Sequence, residues 1–326
     1  MVILSVVAAV SQRKVIIIVT PFGNLGNRLF LYANVLAYAI EHKGIVLNPA
    51  FHPWRGVFSG TRAGGVACYP QPNLPYISGD WIEAIVQHLA WVGMSIAGSP
   101  NAPRHWGAIT IDGIERVELD QPSFVAWAEK KLVILLSGWL FISSHSIERH
   151  AQLIRKYFTQ VMGSDAEALA PVMRLRQSCD LVIGVVIRHG GFDRWMEGKY
   201  FFETETYLHW IKQAAKLYPQ QRVGFFICSD ADLNLDNLGE ISFEFRARSD
   251  LENRAALSVC DRIISPPSSY AGWAAFAGNI PFQLLHSTSQ QITEADFIKI
   301  RNHLDLRDAS FPPDLDLTAS LCATRV

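Results

Sequence analysis

The sequence has no C-x-x-C pair, no block of like charge and no uncharged apolar run long enough to cross a bilayer, and each absence argues against a class of protein. The five cysteines, Cys68, Cys179, Cys228, Cys260 and Cys322, are scattered and mostly sit in apolar runs. That pattern suggests neither a zinc site nor a disulfide frame, and reads as buried free thiols in a reducing compartment. Lys and Arg number 29 against 30 for Asp and Glu. A surface that neutralises many nucleic-acid phosphates is therefore not expected, and an anionic partner has to be met locally. The N-terminal MVILSVVAAV is apolar for ten residues. It lacks a basic flank and falls short of the ~20 residues of a spanning helix, so it reads as an extra edge segment. No transmembrane segment is expected, and the location reads as cytoplasmic, free or peripheral to a membrane.

What the chain does have is apolar content, 49% of 326 residues. That suits parallel sheets buried on both faces, and the length suits two domains. KVIIIVT (14–20) reads as a central strand, Asn27–Glu41 as a helix apolar on nearly every face, and GIVLNPAF as the next strand. From 52 to about 130 the chain is rich in Pro, Gly and Trp and reads as loops and short elements. KLVILLSGWLF then supplies a strand, and SIERHAQLIRKYFT a helix with Ile147, His150, Ala151, Ile154 and Phe158 on one face. Gly163–Ser178 reads as a short helix broken by Pro171. Beyond it, LVIGVVI, RVGFFICS, RIIS and PFQLL alternate with helices, the last of them TEADFIKIRNHL. Alternating β and α predicts an α/β chain of two doubly wound Rossmann-like domains, with ligand sites at the carboxyl ends of their strands, facing a cleft. The division is placed at 1–165 and 166–326.

Three stretches stand where such sites form. In TPFGNLGNRLFLYAN (20–34) a turn joins a strand to a helix, where backbone amides meet anions. Only Gly23 and Gly26 are present and the second strand ends in Asn48, so a dinucleotide fingerprint is disfavoured; a Walker loop lacks its Gly-Lys-Ser/Thr. The plainer alternative is a tight turn that needs glycine's positive φ. In VVIRHGGFDRW, Arg188 leaves a strand end, able to clamp a diphosphate or simply to pair with Asp193. In RIISPPSSYAGWAAF, Ser268 and Ser269 start a helix, as caps or as phosphate donors.

Those three stretches, in that order, resemble the fucosyltransferase superfamily, in particular the family 11 glycosyltransferases that form α-1,2-fucosyl linkages. GNLGNRLF is similar to the family's opening turn, with Asn24 and Arg28 at changed positions. GWLFISSHSIERHAQLIRKYF, GKYFFETETYLHWI, GFFICSDADL and ALSVCDRIISPPSSYAGWAAF resemble its central and donor-domain segments, and about two thirds of the chain is covered. The resemblance implies a GT-B fold, a GDP-fucose donor, a carbohydrate acceptor and no metal or other cofactor. It implies that Arg188 meets the donor diphosphate, that Ser268 and Ser269 form the phosphate loop, and that Asn27 stands beside the donor. Gly23, Gly26 and His189 join the donor-binding set.

The departures from the family pattern are Val186 and Gly191 around Arg188 and His189, and Asn253 where the superfamily often has an aspartate that accepts from guanine. An amide oxygen accepts one such bond without a carboxylate's charge; Glu252 is the nearest carboxylate that could compensate. Asp193 ranks first as acceptor base and a catalytic residue with Arg188 and Asn27, ahead of Glu197 and His189. The DAD at 230–232 reads as helix capping rather than as a metal pair, and Trp54, Trp81 and Trp106 as packing before sugar stacking. Two alternatives stay open: a glycosyltransferase with another nucleotide sugar, and an inactive nucleotide-sugar-binding homologue.

Overall fold

A computed structural model describes residues 13–63, 66–71, 80–111, 113, 115–161, 165–247, 250–308, 315, 316 and 318. The N-terminal apolar segment and Cys322 lie outside them. The chain divides into two units, Met1–Met162 with Pro312–Val326, and Gly163–Phe311. The terminal strand Leu315–Asp316 pairs with Glu115 and Arg116. The end of the chain thus belongs to the first unit, whereas the sequence division assigned it to the second.

In the first unit, the β-branched run Val15–Ile18 (β1) pairs in parallel with Ile45–Asn48 (β2) and with Val133–Ser137 (β6). Ala67–Tyr69 (β3) and Trp106–Thr110 (β4) complete the order β3-β2-β1-β6-β4. Glu115–Glu118 (β5) and Phe141–Ile142 (β7) form a smaller sheet with the terminal strand (β14). Leu25–Glu41 (α1) is buried from Leu29 through Ala39, as its all-round apolarity requires. The expected single helix after β7 is two, Ser144–Arg149 (α4) and Ala151–Tyr157 (α5). They break at His150, whose imidazole Nε2 lies 2.7 Å from Glu41 Oε2.

The stretch expected to be irregular contains an 18-residue helix, Asp80–Ala97 (α2), and also Pro122–Glu129 (α3). Helix α2 carries Glu83 on its buried face, where Arg55 Nε lies 2.6 Å from Glu83 Oε1 and His52 pairs with the second oxygen.

The second unit follows the expected alternation closely. Leu181–Ile187 (β8) is buried throughout and pairs in parallel with Val223–Ser229 (β9) and Arg262–Ser265 (β11). Ser242–Ala247 (β10), Pro281–Leu284 (β12) and Ile298–Lys299 (β13) complete the order β10-β9-β8-β11-β12-β13. Helices Asp165–Ser178 (α6), Thr204–Leu217 (α7), Asp250–Leu257 (α8) and Ser269–Gly278 (α9) connect the strands. On α7 the predicted face is buried at Tyr207, Trp210, Ile211 and Ala214. The four cysteines inside the described residues are buried and form no disulfide with one another.

Two expectations fail here. Pro171 does not break α6. Proline's missing N–H leaves the carbonyl four residues back without its helical donor, and Arg246 Nη2 donates to that Glu167 oxygen at 3.2 Å. The closing segment is not a helix: β13 pairs antiparallel with the edge strand β12, and Asn302 and Asp305 cap a short 3-10 turn, His303–Leu306. Pairing covers an edge that would otherwise present unpaired backbone groups.

The buried His303 gives a pH prediction. Burial, with the nearby Arg307 charge, pushes its pKa from 6.5 down to about 3. The unfolded chain therefore takes up a proton that the folded chain refuses. The stability tied to His303 is complete above 6.5 and is lost as pH falls toward 3. Melting temperature followed through that window should drop less steeply in His303→Leu than in the wild type; parallel curves would contradict the assignment.

Candidate functional site

At the carboxyl end of β1 the turn Gly23–Asn27 has the geometry that glycine permits. Gly23 sits at φ +65°, and a Cβ there would come within 2.4 Å of Asn27 Nδ2, so the amide of Asn27 lies against the glycine. Arg28 braces the turn. Its Nε donates to the Gly23 carbonyl at 2.9 Å and its Nη1 to the Ala50 carbonyl at 3.0 Å, and its guanidinium lies 4.6 Å from the Trp54 ring centre. Asn24, at the N-cap of α1, makes no side-chain capping bond. Helix geometry leaves the first-turn amides without intrahelical acceptors, so this end can receive an anion. Nearby at the same sheet edge, Thr20 Oγ1 donates to Ser137 Oγ at 3.1 Å and accepts from the Gly138 amide at 2.9 Å, and Phe22 stacks on Trp139 with ring centres 5.4 Å apart.

The second unit gathers more at its carboxyl edge. Arg188 follows β8 directly, and its Nε lies 2.9 Å from Asp230 Oδ2 at the end of the neighbouring β9. The other oxygen of Asp230 accepts from the amides of His189 at 2.9 Å and Gly190 at 3.1 Å. One carboxylate therefore meets both the guanidinium and the backbone of the RHG turn. Phe192 lies under Arg188, its ring centre 5.1 Å from the guanidinium carbon. This corrects two expectations. Asp230 does not cap a helix, and the residue that pairs with Arg188 is Asp230, not Asp193. A strand-end Asp was visible in DADL, but its partner lies 42 residues earlier, and only the pairing of β8 with β9 brings them together.

His189 Nε2 lies 3.0 Å from the Phe202 carbonyl, which can only accept, so Nε2 carries a hydrogen and Nδ1 is the ring nitrogen left to meet a ligand. Asp193 sits apart, exposed on the following turn and 3.6 Å from Arg194. Met196 and Glu197 adopt positive φ, 51° and 58°.

Across β11, Ser265 is buried and Pro266 and Pro267 lead into α9. Ser268 is the N-cap, its hydroxyl accepting from the Ala271 amide at 3.5 Å. The capping alternative is therefore realised, and it leaves the amide of Ser269 at the helix start, where anions are favoured. Asn253, on α8, is 3% exposed. Its Nδ2 donates to the Arg246 carbonyl at 3.3 Å, and its Oδ1 is buried with no hydrogen-bond donor among the described residues. Glu252 does not supplement it, since its carboxylate pairs with Arg246 at 3.2 Å. No cluster of three or more metal-ligating side chains stands among the described residues. No helix of these residues is long and apolar enough to cross a membrane.

Two mainly parallel sheets, each with an antiparallel edge strand, flanked by helices and carrying polar groups at the carboxyl edge, define the GT-B class of α/β fold. Solved fucosyltransferases share it. A variant of Arabidopsis thaliana FUT1 in complex with GDP matches with a TM-score of 0.54 at 13% identity, over 90% of this chain and 76% of that one. POFUT1 in complex with GDP-fucose matches with a TM-score of 0.51 at 11% identity, over 84% and 97% of the two chains. No family model and no curated protein match the sequence.

Proposed function

We propose that this protein is a metal-independent, inverting glycosyltransferase that transfers L-fucose from GDP-fucose to a sugar hydroxyl, in the manner of the family 11 α-1,2-fucosyltransferases its motifs resemble. The observation that carries the reading is Arg188, held at a parallel strand end by its ion pair with Asp230. A planar cation so placed can take two diphosphate oxygens at once. The start of α9 at Ser268 and Ser269 adds amides and the positive end of a helix dipole at the end of the neighbouring strand β11. Together they stabilise the charge that develops on the leaving diphosphate, the preorganised electrostatics that a metal supplies elsewhere.

In this reading His189 Nδ1, beside Arg188 on the same turn, takes the acceptor hydroxyl proton in place of Asp193, which sits exposed on the following turn. Asn27, Gly23 and Gly26 keep the donor-binding role that the resemblance implies for them. The buried Oδ1 of Asn253 accepts one N–H of guanine, which removes the cost of an unpaired buried acceptor. A single neutral bond of this kind is worth about 1 kcal/mol, roughly a factor of five in affinity.

A thermal-shift panel tests the assignment. GDP should raise the melting temperature more than UDP or ADP, with EDTA present. Asn253→Leu should narrow the margin of GDP over ADP while retaining part of the GDP shift through the diphosphate. Equal shifts for all three nucleotides in the wild type would favour the reading in which another nucleotide sugar is the donor.

A further inference from the structure

Three neighbouring strands of the first unit, β2, β1 and β6, each follow closely on a lysine: Lys43, Lys14 and Lys131. The segments that carry them are stitched together, Ile45 N donating to the Lys14 carbonyl and Val15 N to the Leu132 carbonyl, both at 2.8 Å. Paired strands lie about 4.8 Å apart, so the three lysine backbones stand in a row along the amino edge of the sheet. Arg13 and His42 extend the row. These five residues border a cavity of about 670 Å³, and Glu129 is the one carboxylate among its described lining residues. That volume lies within the ~300–1,000 Å³ of clefts that take small molecules, and Tyr69, Pro70 and Leu132 give it an apolar border.

The plainer role for cations beside helix ends is to complement the helix dipole. Here the closing carbonyls of α1 and α3 are capped by backbone amides instead: His42 N meets the Tyr38 carbonyl at 3.0 Å, Gly44 N the Ala39 carbonyl at 2.7 Å and Lys131 N the Ala128 carbonyl at 3.0 Å. Lys43 follows the α1 cap in the left-handed region, at φ 54°, where glycine or asparagine is usual. Its side chain is exposed, so core packing does not explain a lysine at that backbone cost. Lys14 is half-buried, and burial pushes its ammonium below the ordinary lysine range against the opposing pull of Glu129. Burial and then the Lys14 charge lower His42, with Asp120, Glu41 and Glu129 opposing. Cationic groups are thus crowded where water is partly excluded, an arrangement that a bound anion relieves.

We propose that this cavity binds a phosphorylated small molecule, its phosphate met by Lys14 and Lys43 and its hydroxylated body set against Tyr69 and Glu129. Arg13 and Lys131 add to the local field. Four lysines and arginines against one carboxylate favour a doubly charged phosphate over a carboxylic acid. Glu129 favours one phosphate on a hydroxylated body over a polyphosphate, since a carboxylate accepts from hydroxyls and repels a second anionic group. None of the residues assigned to the donor borders this cavity.

Glucose 6-phosphate is the probe, added to the full chain beside glucose, inorganic phosphate and NaCl at matched ionic strength. It should raise the melting temperature and shift the His42 imidazole resonances, glucose and NaCl should do neither, and inorganic phosphate should do less. Lys43→Asn suits the left-handed backbone and should weaken binding about tenfold or more, the loss of one charge-assisted contact. Lys14→Met with Lys43→Asn should remove it, and the unliganded melting temperatures check that both variants fold. Arg188→Ala should bind the probe as the wild type does. No shift, equal shifts for glucose 6-phosphate and inorganic phosphate, binding indifferent to Lys43→Asn, or binding lost in Arg188→Ala would each overturn the proposal. So would sedimentation with phosphatidic acid vesicles that glucose 6-phosphate leaves unchanged.

Discussion

Arg188→Ala should abolish the thermal stabilisation by GDP and lower fucose transfer by roughly a hundred- to a thousand-fold, the cost of removing one preorganised charge-stabilising donor. The geometry makes the effect large. Arg188 reaches the strand end with Nε engaged by Asp230 at 2.9 Å, so its orientation is set before a ligand arrives and little is spent in ordering it. Removing the guanidinium also leaves Asp230 with only the amides of His189 and Gly190, a carboxylate facing the incoming diphosphate. Arg188→Lys keeps the charge but loses the fork, and should recover only part of the binding. Asp230→Asn separates positioning from charge: it retains Arg188 while loosening the turn, and should raise the donor KM more than it lowers kcat. A GDP shift unchanged in Arg188→Ala would remove Arg188 from the site.

The second large effect is on stability. Glu83→Ala should cost the first unit about 3–5 kcal/mol, read as a lower denaturant midpoint in its unfolding transition. Glu83 is 2% exposed and faces Arg55, itself 9% exposed, with His52 on the other oxygen. Truncating the carboxylate leaves a guanidinium inside the protein without its counter-ion, and that desolvated charge dominates the cost. The double change Glu83→Leu with Arg55→Met removes both charges and should recover most of the loss. A loss below about 1 kcal/mol in Glu83→Ala would be the cost of a surface pair and would contradict the burial argument.

How far the sequence revealed this protein depended on whether a signal was local. The strands of the second unit were legible because LVIGVVI and GFFICS are continuous apolar runs, as strands buried on both faces must be. The turn at Gly23 was legible because positive φ there needs glycine. Helix α2 was hidden by its own exposed face: apolar residues on both sides erase the periodicity that betrays an amphipathic helix. The break at His150 and the unbroken helix through Pro171 were illegible for another reason. Each depends on a partner distant in sequence, Glu41 in one case and Arg246 in the other.

The candidate site divides in the same way. Arg188, Ser268 and Asn253 could be picked out by residue type at strand ends and helix starts. Residue type alone could not show that Asp230 fixes the Arg188 turn, that Ser268 caps α9, or that the bond from Asn253 Nδ2 to Arg246 leaves Oδ1 as the unpaired atom.

The most direct test of the transferase reading is release of GDP from GDP-fucose by the purified chain in EDTA, with and without β-galactoside acceptors. The account predicts GDP release above the uncatalysed rate, faster with acceptor and lost in Arg188→Ala. A chain that binds GDP-fucose yet leaves the donor intact with every acceptor would be a nucleotide-sugar-binding protein, and would contradict the assignment of catalysis.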